Sequence, residues 1–354
     1  MKLLIGEISS PKAIVVCRYI KMNYPDAEVI SYDYKSFTNK IRTKYSDKHY
    51  VISQDDKITG LSHLVEKESI DIFIPVMSSE IEELLSQREK FGHSLDYTGS
   101  LEAYRTLHYK NNLMELASSL NVRIPKTYNT IAEAARPYII KPVNASSAKG
   151  VRYILNEREH LKAMNEFVPG DFVIQEYIKG FGAGYSSFCR NGKIITGYGH
   201  RRLAEYPVTG GSSVYRCAYS SNEMYEINKK ILEEVNWSGF CMTEFKIKSN
   251  NEAYLIEVNP RIWGSIYQGL TEGINYFEPL LGKTVNNRFN RKKCNTYLSP
   301  LIYSALLKYL LMGVLSPIFK FFTDFHKSTD VSLFSDFNGF LSIIVKKIKL
   351  KRHI

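Results

Sequence analysis

The chain has 354 residues, 44% of them hydrophobic and 23% charged, with 21 glycines and 12 prolines. That length suits two or three packed units, and the composition excludes a disordered, collagenous or low-complexity protein. The formal net charge of +11 is uneven: from residue 283 onward thirteen Lys and Arg face three Asp, a net of +10, which leaves the body nearly neutral. A nucleic-acid partner is therefore not expected, because the body lacks the charge such a surface needs.

The N-terminus alternates strand and helix signals. The apolar run "KLLIG" is followed by Ser10 and Pro11, an N-cap residue and a proline for the first helical position, and a helix is expected to about Met22. Further strands are read at "AEVISYD", "HYVIS" and "DIFIPVM", with helices after Asp56 and Ser79. This βαβα pattern to about residue 98 predicts an open, mostly parallel α/β sheet. The first strand runs into "GEISSPK", which lacks the glycine fingerprint of a dinucleotide site.

One helix is expected over about residues 101–120. From Tyr138 the texture turns strand-rich, with "YIIKPV", "VRYIL", "DFVIQEYI", "GYSSFCR", "KIITGYG", "GFCMTEFKI" and "AYLIEVNP", and one clear helix in "SSNEMYEINKKILEEVN". That predicts an α+β unit on antiparallel strands, and no internal repeat is present. Residues 298–322 are strongly apolar but interrupted by Lys308, Pro300 and Pro317, so a membrane span there would be costly. Phe337, Phe340, Leu341, Ile344, Val345 and Ile348 form one helical stripe among lysines. For this basic segment the readings are docking on the core, peripheral contact with an anionic membrane, or a span. The five cysteines (17, 189, 217, 241 and 294) are odd in number and never spaced CxxC. With no secretory signal expected, they read as free thiols in the cytoplasm without a zinc site.

Four features carry chemistry. In "YIIKPVNASSAKGV", Lys141 ends a strand before a loop of small residues closing at Gly150; such a loop lets backbone N–H groups approach phosphate, though a plain hairpin turn has the same texture. "DFVIQEYIKG" is an apolar strand whose end can present a carbonyl and an N–H to an adenine edge, or can be an ordinary edge strand. In "GFCMTEFKIKSNNEAYLIEVNPRIWGS", period two puts Glu257 and Asn259 on one face, and the hairpin can bring Glu244 opposite. Two carboxylates and an amide make a hard oxygen site suited to Mg²⁺ or Mn²⁺, against the alternative of solvated polar side chains. "GYGHRRLAEYPVTGGSSV" clusters His200, Arg201 and Arg202 before a Gly-Gly turn, as phosphoryl or carboxylate partners or as a solvated charge run.

In this order the four features resemble the ATP-grasp superfamily, in the branch of carboxylate–amine ligases that includes the ATP-binding halves of carbamoyl phosphate synthetase and biotin carboxylase. The resemblance covers about residues 100–282. It implies a pre-ATP-grasp α/β domain at 1–98, a small nucleotide-binding subdomain at 99–180, a catalytic and metal-binding subdomain at 181–282 and a basic amphipathic extension at 283–354. It implies ATP and Mg²⁺, with Lys110 and Lys141 as nucleotide lysines and Ser146, Ser147 and Gly150 in the phosphate loop. Gln175, Glu176 and Ile178 match the adenine hinge, the latter two by backbone. Glu244, Glu257 and Asn259 match the metal ligands, and Arg261, joined by Arg202 and its neighbour Arg201, matches the arginine that stabilises the transferring phosphate.

The ribose contact stays unassigned, because "GFGAGYS" follows the hinge; its glycines read as a turn between two strands. The implied reaction couples a small-molecule carboxylate to an amine through an acyl phosphate. An ATP-grasp phosphotransferase and a non-catalytic ATP-binding sensor are the alternatives, and a homodimer is left open.

Overall fold

The structure, a computed structural model, describes residues 1–354 apart from 35–40, 143–149, 167–171, 209, 290–292 and 352–354, and only the backbone of residues 347–351. The N-terminal unit holds strands β1 (Lys2–Ile5), β2 (Glu28–Asp33), β3 (Lys48–Val51) and β4 (Ile72–Ile74) and helices α1 (Pro11–Asn23), α2 (Lys57–Glu68) and α3 (Ser78–Ser86). Its strands are all parallel in the order β3-β2-β1-β4. Parallel strands need crossover helices on both faces, so Leu3, Leu4 and Ile5 are buried on both sides, as the short apolar run predicts. Pro11 opens α1 at its first turn, where a missing N–H costs nothing.

The expected single helix over 101–120 is two: α4 (Leu101–His108) and α5 (Lys110–Ser119), separated by Tyr109 in an extended conformation. The hydroxyl of Tyr109 donates to Glu82 Oε2, and His108 stacks on Tyr104 with ring centroids 5.1 Å apart. The long-range Tyr109–Glu82 bond holds Tyr109 at the break, and Lys110 starts a new helix.

A four-stranded antiparallel sheet follows, from β5 (Thr127–Tyr128), β6 (Tyr138–Pro142), β7 (Arg152–Ile154) and β8 (Phe172–Glu176), in the order β5-β8-β6-β7, with α6 (Glu157–Glu166) against it. The central sheet has seven strands in the order β13-β12-β9-β10-β11-β14-β15. These are β9 (Phe181–Arg190), β10 (Lys193–Tyr206), β11 (Ser212–Ala218), β12 (Gly239–Ile247), β13 (Ala253–Asn259), β14 (Asn295–Tyr297) and β15 (Lys327–Thr329). Helices α7 (Asn222–Glu234) and α8 (Ile266–Thr271) cover it. Ser221 caps α7 by accepting from the Met224 N–H.

Of the glycines of "GFGAGYS" that read as a turn, Gly180 sits in a bend, but Gly182 and Gly184 lie inside β9. A Cβ at Gly184 would sit 2.5 Å from His200 Cε1, and one at Gly182 would sit 2.9 Å from Arg202 Cδ. Both positions leave room for side chains of β10 to lie across β9.

The C-terminal stretch joins this body. Strand β14 pairs with β11, β15 pairs parallel with β14, and α9 (Leu301–Leu311) and α10 (Ser316–Thr323) pack beside them. Helix α11 (Phe337–Lys351) lies on the N-terminal unit, where Ile343 meets Ile14 and Val331. The buried face is centred on Ile343, rotated from the expected stripe: Phe337 stays 59% exposed.

Candidate active site

A cavity of about 550 Å³ opens where the three units meet, lined by Ser10 and Lys12 from the first, Lys110, Lys141 and Ile178 from the second, and Arg202, Glu244 and Glu257 from the central sheet. Its floor is the β12–β13 hairpin. The antiparallel register sets Glu244 opposite Glu257 and Met242 opposite Asn259. Immediately after that pair the register slips, so that Phe245 faces Leu255 and Ile256 is the extra residue. Such an irregularity re-aims side chains beside it. Thr243 points to the other face, bonding Asn228 of α7, which leaves its neighbours Met242 and Glu244 for the cavity.

Asn259 joins the two acids. Its Nδ2 donates to Glu244 Oε1 at 3.3 Å and to Glu257 Oε1 at 3.1 Å, while its Oδ1 accepts from Arg261 at 2.8 Å. Arg202 forms an ion pair with Glu244 and lies 3.6 Å from Glu205. Burial pushes Glu244 up to about 7 although Arg202 pulls it down, and Glu257 adds to the rise. Glu257 is pushed up by burial too, but Lys110, the Asn259 hydrogen bond, Lys141 and Arg202 outweigh that and hold it below the usual carboxylate range. Two recessed carboxylates of unequal basicity thus share one amide.

The lysines face this pair. Lys141, 4% exposed on β6, has no hydrogen-bond partner for its Nζ among the described residues, and burial followed by the repulsion of Lys110 brings it down to about 8. Lys110 is buried at the start of α5. Arg261 follows β13, donating also to Ser78 Oγ of the N-terminal unit and to the Ile262 carbonyl at 2.9 Å.

Three expected residues stand elsewhere. Arg201 is exposed, does not line the cavity, and lies 3.9 Å over the Phe181 ring, because strand alternation turns it away from its neighbours His200 and Arg202. Gln175 is fully buried within β8, where its Nε2 donates to Thr127 Oγ1 at 3.2 Å; Glu176 and Ile178 line the cavity, with Tyr177 between them. Gly150 has a φ of +77°, and a Cβ there would meet Pro142 Cγ at 2.8 Å. Ser146 and Ser147 lie outside the described residues.

Sequence reasoning missed Lys12. It is buried in the first turn of α1, donates to the carbonyls of Val76 and of Ile262 (3.2 Å), and is held well below the usual lysine range by burial and then by Arg261. A lysine after Ser-Pro at a helix start gives no local hint of a tertiary role. His200, buried and pushed down to about 3 by burial and then by Arg202 and Arg216, is a neutral wall of the cavity.

Among the described residues no group of three or more His, Cys, Asp or Glu is placed to hold a metal ion. The donor set that does converge is two carboxylates and an amide. All are oxygen-bearing, and that chemistry fits Mg²⁺, which takes one or two protein carboxylates and completes its shell with water and phosphate oxygens. The buried Nζ of Lys141 beside them, without a partner among the described residues, fits an anionic ligand.

A family model described as an ATP-grasp domain matches residues 108–265. That match spans the lysines, the hinge and the acidic hairpin. Over 179 residues the chain is 27% identical to a D-alanine–D-alanine ligase of Fusobacterium nucleatum, a match covering 46% of this chain and 60% of that protein. It is 30% identical over 132 residues to a 5-formaminoimidazole-4-carboxamide ribofuranosyl monophosphate synthetase of Pyrobaculum calidifontis, covering 37% of this chain and 39% of that one. The matches therefore span less than two thirds of those curated relatives. Among solved structures, the biotin carboxylase domain of 2-oxoglutarate carboxylase from Hydrogenobacter thermophilus, in complex with MgADP, ADP and bicarbonate, superposes with a TM-score of 0.64 at 15% identity, over 82% of this chain and 72% of that one. At that identity the likeness is one of fold.

Proposed function

We propose that the protein is an ADP-forming ligase that activates a carboxylate as an acyl phosphate and joins it to an amine. The observation that carries this reading is the Glu244–Glu257 pair across one hairpin, bridged by Asn259 and faced by Lys110 and Lys141. The similarity to D-alanine–D-alanine ligases and to a MgADP-bound carboxylase domain supports it. In this reading residues 1–98 and 283–354 flank a nucleotide-binding part at 99–180 and a metal-binding part at 181–282. The five free cysteines suit a cytoplasmic setting.

Glu244, Glu257 and Asn259 would hold Mg²⁺, which would supply charge neutralisation at the triphosphate. Lys110 and Lys141 bind the phosphate oxygens, and an anion beside Lys141 restores the full charge that burial suppresses. Ser146, Ser147 and Gly150 belong to the loop over the phosphates. The Glu176 carbonyl and the Ile178 N–H sit at the adenine edge, since the Glu176 N–H is already committed to the Lys126 carbonyl at 2.8 Å. Arg261, fixed by Ser78 and Asn259, holds the substrate carboxylate with Arg202. A carboxylate oxygen bonds to the γ-phosphorus as the bond to ADP breaks; the amine nitrogen then attacks the acyl carbon, phosphate leaves, and the amine proton passes to solvent. No side-chain nucleophile is required.

The test is a pairwise screen of amino acids and small carboxylates for ATP-dependent ADP release, with mass detection of the condensed product. Glu257→Ala is expected to abolish ADP formation and leave the melting temperature within a few degrees, on the order of a surface change. Near-normal turnover by that variant ends the metal assignment. A phosphorylated acceptor without amide identifies a phosphotransferase, and ATP binding without ADP a sensor.

A further inference from the structure

The exposed large apolar side chains among the described residues are concentrated in one stretch. Of the 21 large apolar side chains exposed among the described residues, 13 fall between residues 303 and 337. Helix α9 buries Ile302, Ala305 and Leu306 against the central sheet and turns Tyr303, Leu307, Leu310 and Leu311 outward, which is one helical face. Helix α10 continues it with Phe319 and Phe322, three residues apart, and Phe325 beyond its end is 90% exposed. Single exposed apolar residues need no explanation; a contiguous face of leucines and phenylalanines marks an interaction site.

The charge around this face has one sign. Lys308 and Lys320 are exposed on the same two helices. All three acids of the stretch from residue 283 are engaged inside: Asp330 is buried against Arg216, Asp336 is buried against Thr43, and Asp324 accepts from the Tyr215 hydroxyl and from Asn295. Lys308 and Lys320 are therefore presented without an exposed carboxylate among the described residues of this segment. No helix among the described residues is long and apolar enough to cross a membrane; Gly313 lies between α9 and α10, and Pro317 stands in the first turn of α10. A second copy related by a two-fold axis would set Lys308 and Lys320 against their own kind.

We infer that the α9–α10 face docks this protein onto an anionic lipid surface, with the leucines and phenylalanines entering the headgroup boundary and the lysines meeting the lipid phosphates. Two short helices lying in the interface plane satisfy both requirements: apolar side chains on one side, cations at the rim. The start of α9 reaches the cavity, since Leu298 and Leu301 line it, so docking holds the cavity beside the bilayer.

The test is sedimentation of the full chain with vesicles of phosphatidylcholine alone and with part of the lipid replaced by phosphatidylglycerol. Binding to the anionic vesicles only is expected, lost progressively as salt is raised. Leu311→Asp with Phe319→Asp should lower the partition coefficient about tenfold or more, and Lys308→Glu with Lys320→Glu should lower it severalfold, with melting temperatures retained. The lysine variants carry the test if the apolar pair fails to fold. Equal binding to both vesicle types, or no binding, overturns the inference; so does a dimer in sedimentation equilibrium that Leu311→Asp dissociates and vesicles do not compete with.

Discussion

Glu80 illustrates how a side chain outside the candidate site sets a property of the whole molecule. It is 2% exposed, accepts hydrogen bonds from the hydroxyls of Tyr32 (2.8 Å) and Tyr34 (2.6 Å) on one oxygen, and leaves Oε1 without a partner among the described residues. Burial pushes its carboxyl up from 4.5 to about 7 against the pull of the two tyrosines. The folded state thus binds this proton more tightly than the unfolded chain. The stability it contributes is complete below pH 4.5 and is lost as pH rises through 7, by about 3 kcal/mol at the upper limit. Urea midpoints measured from about pH 5 to 8 should fall for the native chain and run flatter for Glu80→Gln; parallel slopes would show that Glu80 is not the titrating group. The same scale explains why Arg201 and Arg202 part company. One residue of a strand separates a guanidinium in the cavity from one stacked on Phe181, and the sequence run "HRR" does not say which is which until the register of β10 is known.

At the scale of elements, the most buried attachment of the C-terminal segment is a side-chain knot on Arg216. Arg216 of β11 is fully buried, and its guanidinium donates to Thr296 Oγ1 of β14 at 2.8 Å, to the Ser213 carbonyl at 3.0 Å and to Asp330 just past β15. Removing one member of such a pair strands a charge in a dry interior, which is far costlier than the pair is stabilising. Asp330→Ala should therefore lose about 3–5 kcal/mol in equilibrium urea denaturation, and Arg216→Met with Asp330→Leu should recover much of it; a loss under about 1 kcal/mol would mean that β14 and β15 are held by their ladder alone. Sequence composition marks residues 283–354 as basic and apolar but cannot show this attachment, since strands of three residues carry too little pattern to be read and their partner lies about eighty residues upstream.

For the whole molecule, the cavity depends on three units meeting. Arg261 ties the hairpin to Ser78 of the N-terminal sheet unit, Lys12 donates to the carbonyl of Ile262, and Lys346 of α11 pairs with Glu7 at 2.7 Å beside the same opening. A nucleotide that binds across this junction should stabilise the folded state through mass action, by about 2.7 kcal/mol at a hundredfold excess over its dissociation constant. A non-hydrolysable ATP analogue with Mg²⁺ is expected to raise the melting temperature in differential scanning calorimetry, chelation of the metal to erase most of that rise, and Lys141→Met to reduce it. An unchanged melting curve would remove the nucleotide from this cavity.

What the sequence by itself determined is local and periodic. The βαβα alternation predicted the parallel N-terminal sheet, because strands buried on both faces need continuous apolar runs. The alternation along "YLIEVNP" put Glu257 and Asn259 on one face, because a strand turns its side chains with period two. The tertiary structure alone decided the register that sets Glu244 against Glu257, the break at Tyr109 that starts α5 with Lys110, the strand conformation of Gly182 and Gly184, and the arrival of Lys12 from the other end of the chain. Each of these is fixed by contacts between different elements, and such contacts leave no periodicity in the segment that makes them.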